Sequence, residues 1–255
     1  MTAGSIATDG DHLVAVVAHP DDETFRCGSL LAQAAAAGAR VTVICATRGE
    51  SGRRRPDPTT DAWPLGLLRE AELCQAAIVL GVDEVVVLDY VDSGCSGAAP
   101  DGALLDTSVG DLADDLAAHL AALEPDVVVT LDGSDGHRDH RHVRDALTVA
   151  LGLLHRPARL IHSCLAQSLM REWAAVVRAA APDRDHLALE AIGRPDDELT
   201  AIDTSAVLAT RERAIGCHLS QASPFDNLPA DLRQRFLTID HVVEVDVRRP
   251  AVVVD

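Results

Sequence analysis

The sequence predicts an α/β protein with a Rossmann-like, doubly wound, mostly parallel sheet, helices on both faces, and a single domain. Three observations carry this reading. Valine-rich apolar runs alternate with helical patterns from residue 12 to about residue 164, the rhythm that βαβ units impose. A length of 255 residues suffices for one well-filled core, and no stretch reads as a linker between two. Clusters of His and Asp follow directly after two of the apolar runs, where sheets of this kind carry their ligand sites.

Residues 1–11 are polar and glycine-containing and read as a flexible N-terminal arm, which leaves residues 12–255 as the domain. The first strand runs from His12 to Ala18, a continuous apolar segment rich in β-branched residues. Helical patterns over Gly28–Ala37, Leu67–Leu80, Gly110–Leu123 and Asp139–Leu154 separate it from strands at Val41–Ala46, Glu84–Leu88, Asp126–Thr130 and Arg159–Cys164. Beyond Cys164 the rhythm loosens. Helices are expected over Ser168–Ala180 and Ser205–His218 and a strand over His241–Val247, completing the sheet edge and a lid. Two turn-rich loops, Arg48–Pro64 and Asp92–Asp106, are long enough to be functional; Arg53-Arg54-Arg55 in the first reads as a solvated segment. Pro195-Asp196-Asp197-Glu198 copies the letters of Pro20–Glu23 but lacks the His and the preceding strand, so it reads as a surface turn and not a repeat.

In the commonest doubly wound order, 3-2-1-4-5, the first and fourth strands are neighbours, and ligands bind in the crevice beyond their carboxyl ends. The first strand runs straight into His19-Pro20-Asp21-Asp22-Glu23, with Pro20 stiffening the turn. The fourth is broken by Asp132-Gly-Ser-Asp-Gly136 before His137-Arg138-Asp139-His140 opens the next helix. Two imidazoles and a carboxylate from these clusters, His19, Asp22 and His140, are a set suited to zinc, whose catalytic sites take three protein ligands and leave a position for water. Ferrous iron can accept the same donors. Bound zinc lowers the pKa of a water to about 7. Asp21 is then of the right type for a general base, and a protonated His137 for steadying an oxyanion or protonating a departing amine, which together amount to amide hydrolysis. Asp139 has the chemistry to fix the tautomer of His137 or of another ring nearby.

The balance of charge, 22 basic against 40 acidic residues for a net of −18, includes no lysine at all. That field disfavours nucleic acid and anionic membrane surfaces as partners and leaves small-molecule substrates. Six cysteines without a Cys-x-x-Cys pair read as reduced, and the sequence has neither a signal-peptide pattern nor a run long enough to span a membrane, so a soluble, cytoplasmic protein is expected.

Ala18-His19-Pro20-Asp21-Asp22-Glu23 with Cys27-Gly28, and the later His137-x-Asp139-His140, resemble the two motifs of the LmbE-like or PIG-L-like zinc N-deacetylases. Arg48-Gly49-Glu50-x-Gly52, Arg69-x-x-Glu72 and His218-Leu-Ser-Gln221 are lesser marks of the same family. The resemblance implies removal of an acyl group, usually acetyl, from the amine of a glucosamine-containing or otherwise glycosylated substrate. It makes His19, Asp22 and His140 the zinc ligands, Asp21 the base and His137 the acid or oxyanion-stabilising group. Tyr90–Gly94 is similar to a segment of mycothiol-pathway members, which implies substrate contacts at Asp92 and, by the same likeness, at Arg69. Three positions depart from the pattern: Arg26 replaces a small residue, Arg138 a proline, and Asp135 stands where the mycothiol branch has a tyrosine.

Other readings fit less well. A dinucleotide site needs a glycine-rich first turn, and carboxylates there repel a pyrophosphate. A receiver domain needs a lysine. A nucleophilic hydrolase needs an elbow of the Gly-x-Ser-x-Gly type, which is absent. A non-catalytic, metal-containing binding protein of the same fold and an amidase of mycothiol-type conjugates remain as alternatives.

Overall fold

A computed structural model of the chain describes residues 4–57, 61–180 and 192–247. Residues 1–3, 58–60, 181–191 and 248–255 lie outside it, and with them the start of the expected arm, part of the first long loop and the end of the expected domain. Seven strands form one sheet: β1 (His12–Val17), β2 (Arg40–Thr47), β3 (Glu84–Tyr90), β4 (Val127–Leu131), β5 (Arg159–Cys164), β6 (Thr200–Asp203) and β7 (Ile239–Val245). Their order is β3-β2-β1-β4-β5-β7-β6, with the first five parallel and β7 antiparallel to both β5 and β6. The 3-2-1-4-5 order expected from sequence is therefore present, extended by a two-strand antiparallel edge.

Every residue of β1 is buried, so its alternating side chains feed two layers at once. Leu13, Ala15 and Val17 join Leu30 and Leu31 of α2 (Gly28–Ala36) and Leu73 and Leu80 of α3 (Leu65–Leu80) on one face. Val14, Val16 and Ala18 pack on the other face against Leu112 and Leu116 of α4 (Val109–Leu123) and Val143 and Leu147 of α5 (Arg138–Leu153). At ~1.5–3 kcal/mol for each large aliphatic side chain so buried, this strand fixes the register of the sheet. Ile6 and Ala7, within the segment expected as an arm, are buried in the first layer.

Most departures from expectation lie in the second half. The helix expected over Ser205–His218 is a short 3-10 turn at Ser205–Val207 followed by α7 (Leu208–Ile215). β6, a one-turn α1 (Asp22–Phe25) and α8 (Ala230–Thr238) were not anticipated, being four to nine residues long with weak periodicity. α6 (Gln167–Ala180) and α8 meet over a third apolar cluster containing Phe25, Met170, Phe225 and Phe236. Pro195–Glu198 is the surface turn expected, with exposed acidic residues.

Candidate metal centre and active site

β1 and β4 are hydrogen-bonded neighbours, with Ala15 opposite Val129, so the loops after both leave the sheet side by side. The first turns through His19 and Pro20 into α1, where Asp21 has φ 116° and ψ −28°. A non-glycine residue in that region costs on the order of 1–3 kcal/mol, and its neighbours hold it there. The Asp21 N–H donates to Glu23 Oε2 at 2.8 Å, and Arg69 donates to Asp21 Oδ2 at 2.9 Å. In the second loop His137 caps α5, its Nδ1 accepting the Asp139 N–H at 3.2 Å.

Three donor atoms from these loops converge. His19 Nδ1 lies 3.4 Å from Asp22 Oδ2, Asp22 Oδ2 lies 3.2 Å from His140 Nε2, and the two ring nitrogens are 3.3 Å apart. Ligand atoms about 2.0–2.1 Å from a tetrahedral cation stand about 3.3–3.4 Å from one another. The donor set thus matches one face of a tetrahedron, and its two imidazoles and carboxylate fit a divalent cation. Two other groups, His19–His137–His140 and His19–Asp92–Asp139, also bring their donor atoms within 4.8 Å. The second of these engages the opposite nitrogen of His19: Nε2 is 3.1 Å from Asp139 Oδ2 and 3.3 Å from Asp92 Oδ1. Carboxylates there hold the ring proton on Nε2 and free Nδ1 to face Asp22 and His140, the second layer that metal-binding histidines require. His140 has the same support, its Nδ1 lying 2.7 Å from Asp135 Oδ2, which also pairs with Arg26 at 3.0 Å.

Electrostatics follow from this layering. Burial opposes charge on His19, but hydrogen bonds to Asp139, Asp22 and Asp92 override it and raise its pKa well above the ordinary value. His140, likewise buried, is raised to about 9 by the charge of Asp22 and its bond to Asp135. Asp22 and Asp135 are held well below the usual carboxylate range, against their burial, chiefly by His140. Asp21 moves the other way. Burial pushes it up to about 6, the Arg69 guanidinium opposing. His137 is lowered to about 4 by burial and by the two neighbouring imidazoles. It is therefore neutral near pH 7, and with Nδ1 occupied as an acceptor its proton sits on Nε2.

Arg69 and Asp92, expected as substrate contacts, are only 4% and 3% exposed. Arg69 donates to the Gly49 and Pro20 carbonyls as well as to Asp21. Asp92 accepts from the backbone N–H of Gly94 at 2.7 Å and of Ser51 at 3.2 Å. Asp139 lies on His19, the alternative that its sequence position left open beside His137. Arg138 reaches across to the Ser93, Gly94 and Gly97 carbonyls and ties the loop after Asp92 to the start of α5. Sequence reasoning gave no role to Asp135, Glu23 or His218. Asp135 was visible only as a departure, because its partner His140 lies five residues on and the two meet only once the loop turns back. A cavity of about 240 Å³ lined by Phe25, Met170, Trp173 and Phe225 lies beside this layer, with Arg26 and Asp135 in its wall.

A doubly wound sheet with a cluster of imidazoles and carboxylates at its switch point defines an α/β protein built around a candidate metal site. The chain belongs to the PIG-L family, described as GlcNAc-PI de-N-acetylase, which matches residues 14–151. It is 33% identical over 231 residues to the 1D-myo-inositol 2-acetamido-2-deoxy-α-D-glucopyranoside deacetylase of Actinosynnema mirum, covering 83% of this chain and 81% of that one. It is 30% identical over 259 residues to the deacetylase of the same name from Acidothermus cellulolyticus, covering 91% and 87%. Among solved structures, the N,N'-diacetylchitobiose deacetylase of Pyrococcus horikoshii shares the fold with a TM-score of 0.59 at 16% identity, over 93% of this chain and 84% of that one.

Proposed function

We propose that the protein is a zinc-dependent N-acyl amidohydrolase that removes an acetyl group from the amine of an amino sugar or of a small glycosylated conjugate. The observation that carries this is the convergence of His19 Nδ1, Asp22 Oδ2 and His140 Nε2 to within 3.2–3.4 Å, next to the raised carboxyl of Asp21. Relatives that the chain matches over most of its length are named for deacetylation of a 2-acetamido sugar linked to inositol, and that substrate class comes to this chain with them.

His19, Asp22 and His140 would hold the cation, which when bound polarises an amide carbonyl and lowers the pKa of a water toward about 7. Asp21, with a pKa of about 6, is ionised at neutral pH yet basic enough to take a proton from water attacking the amide carbon. The same carboxyl can pass that proton to the nitrogen as the C–N bond breaks, so that amide and water become amine and carboxylate. His137 presents its Nε2–H as a neutral donor to the developing oxyanion, which suits its lowered pKa better than the role of a cationic acid. Arg69 fixes the Asp21 carboxylate.

None of the helices among the described residues is long and apolar enough to cross a membrane. The test is acetate release from a panel of N-acetylated amino sugars and their cyclitol conjugates, with metal content measured in parallel. Asp21→Asn should lose at least about 100-fold in kcat while keeping stoichiometric zinc. Full activity in that variant, or purified protein without divalent metal, refutes the reading.

A further inference from the structure

The Asp21 backbone is in a conformation that a non-glycine residue does not adopt unaided, and a chain of buried contacts leads away from it. Its N–H is bonded to Glu23 Oε2. The other oxygen of that carboxylate lies 2.8 Å from His218 Nε2, contributed from 195 residues further along the chain. It also accepts the Thr24 hydroxyl. Glu23 and His218 side chains are both 0% exposed, so their contact is not a surface ion pair that solvent could replace. The loop bearing His218 is pinned in turn. Ser220 gives both its N–H and its hydroxyl to the Glu72 carboxylate, each at 2.7 Å. Glu72 lies on α3 one turn after Arg69, which grips the Asp21 carboxylate itself.

We propose that Glu23 and His218 are a buried positioning pair that holds Asp21 in its left-handed backbone conformation, with α3 closing the device through Arg69 and Glu72. Glu23 holds the amide of the base, Arg69 its carboxylate, and Glu72 the loop that delivers His218. The inference rests on the reading of Asp21 as the base. It also gives one joint purpose to Arg69-x-x-Glu72 and His218-Leu-Ser-Gln221, two sequence segments that the metal centre leaves without a role. Neither Glu23 nor His218 touches the reacting atoms in this scheme.

The experiment compares His218→Leu, which keeps volume but has no donor, with His218→Gln, whose carboxamide can still donate to Glu23. Both are measured beside Asp21→Asn for kcat, KM and zinc stoichiometry, and for amide hydrogen exchange at Asp21 in the metal-free protein. The leucine variant should lose about 10–100-fold in kcat, the usual cost of removing an outer-shell partner, with KM and zinc content unchanged. Exchange at the Asp21 amide should be at least about tenfold faster, and the glutamine variant should recover most of both properties. If His218→Leu does not fold, His218→Gln set against Glu23→Ala provides the same comparison. An inactive Asp21→Asn together with wild-type kcat and amide protection in His218→Leu overturns the positioning role and leaves the base intact. An active Asp21→Asn overturns the base and this proposal with it.

Discussion

Loading the site with a cation has to expel protons, and the geometry says how many. Without metal, His140 titrates at about 9 and His19 well above the ordinary value, so at pH 7 both rings carry a proton directed at the Asp22 carboxylate, where the cation has to sit. Binding through His19 Nδ1 and His140 Nε2 releases both, whereas Asp22 is already ionised. Two protons released per metal make the apparent affinity rise about 100-fold per pH unit, or ~2.7 kcal/mol, for as long as both rings stay protonated in the metal-free state. Sites built from neutral imidazoles titrating near 6.5 would show almost no slope above pH 7. The measurement is zinc affinity against a competing chelator between pH 6.5 and 8. Calorimetry in buffers of different ionisation enthalpy counts the protons independently. The sign is fixed: affinity increases with pH. A slope below one decade per pH unit, or fewer than one proton released, refutes the idea that the carboxylates around the two rings hold the metal-free site protonated.

Other consequences follow from the same contacts. Asp135→Ala removes the carboxylate 2.7 Å from His140 Nδ1 and should weaken zinc binding by about 10–100-fold, read by the same chelator competition. Arg69→Ala deletes the positive charge that lowers the Asp21 pKa; the acid limb of the kcat/KM profile should move from near pH 6 to higher pH, with kcat falling more than KM rises. His162 on β5 is lowered to about 4, mainly by burial, so it folds as the neutral ring. Its contribution to stability is complete above the unfolded value near 6.5 and is lost as pH falls toward 4, about 2 kcal/mol of it between pH 7 and pH 5. Urea denaturation at those two pH values should show that loss in the wild type and its absence in His162→Leu.

The parallel half of the sheet was legible because β1, β2, β4 and β5 are buried along nearly their whole length and so are largely apolar, and the half-buried edge strand β3 keeps a run of valines. The convergence of His19, Asp22 and His140 was legible because His19 and Asp22 are three residues apart and His140 lies in the first turn of the helix after the neighbouring strand. What the sequence hid is long-range or conformational. Nothing in the letters Asp-Asp-Glu says that the first aspartate takes φ 116°, or that Glu23 turns inward to a histidine 195 residues away. The family likeness alone implies substrate contacts at Arg69 and Asp92, and only packing reveals that both side chains are buried and bonded to protein groups. β6 and α8 escaped because elements of four and nine residues carry little periodicity of their own, whereas the edge strand expected over His241–Val247 is present as β7.

The residues that depart from the family pattern belong to this hidden layer. Four carboxylates, Asp22, Asp92, Asp135 and Asp139, face two imidazoles that a bound cation would render neutral, an excess of negative charge in a buried setting. Arg26 answers part of it by pairing with Asp135 at 3.0 Å behind His140. A small residue at position 26 would leave that carboxylate with His140 and the backbone N–H of His137, and would open the apolar cavity at the wall that Arg26 helps to form. Arg138 acts through the backbone, drawing the Ser93–Gly97 carbonyls onto α5 and keeping Asp92 against His19. Proline at that position could not reach those carbonyls. The two arginines are thus coupled to opposite donors, Arg26 to His140 and Arg138 to His19, and exchanging either for the family residue should weaken metal retention through a different histidine.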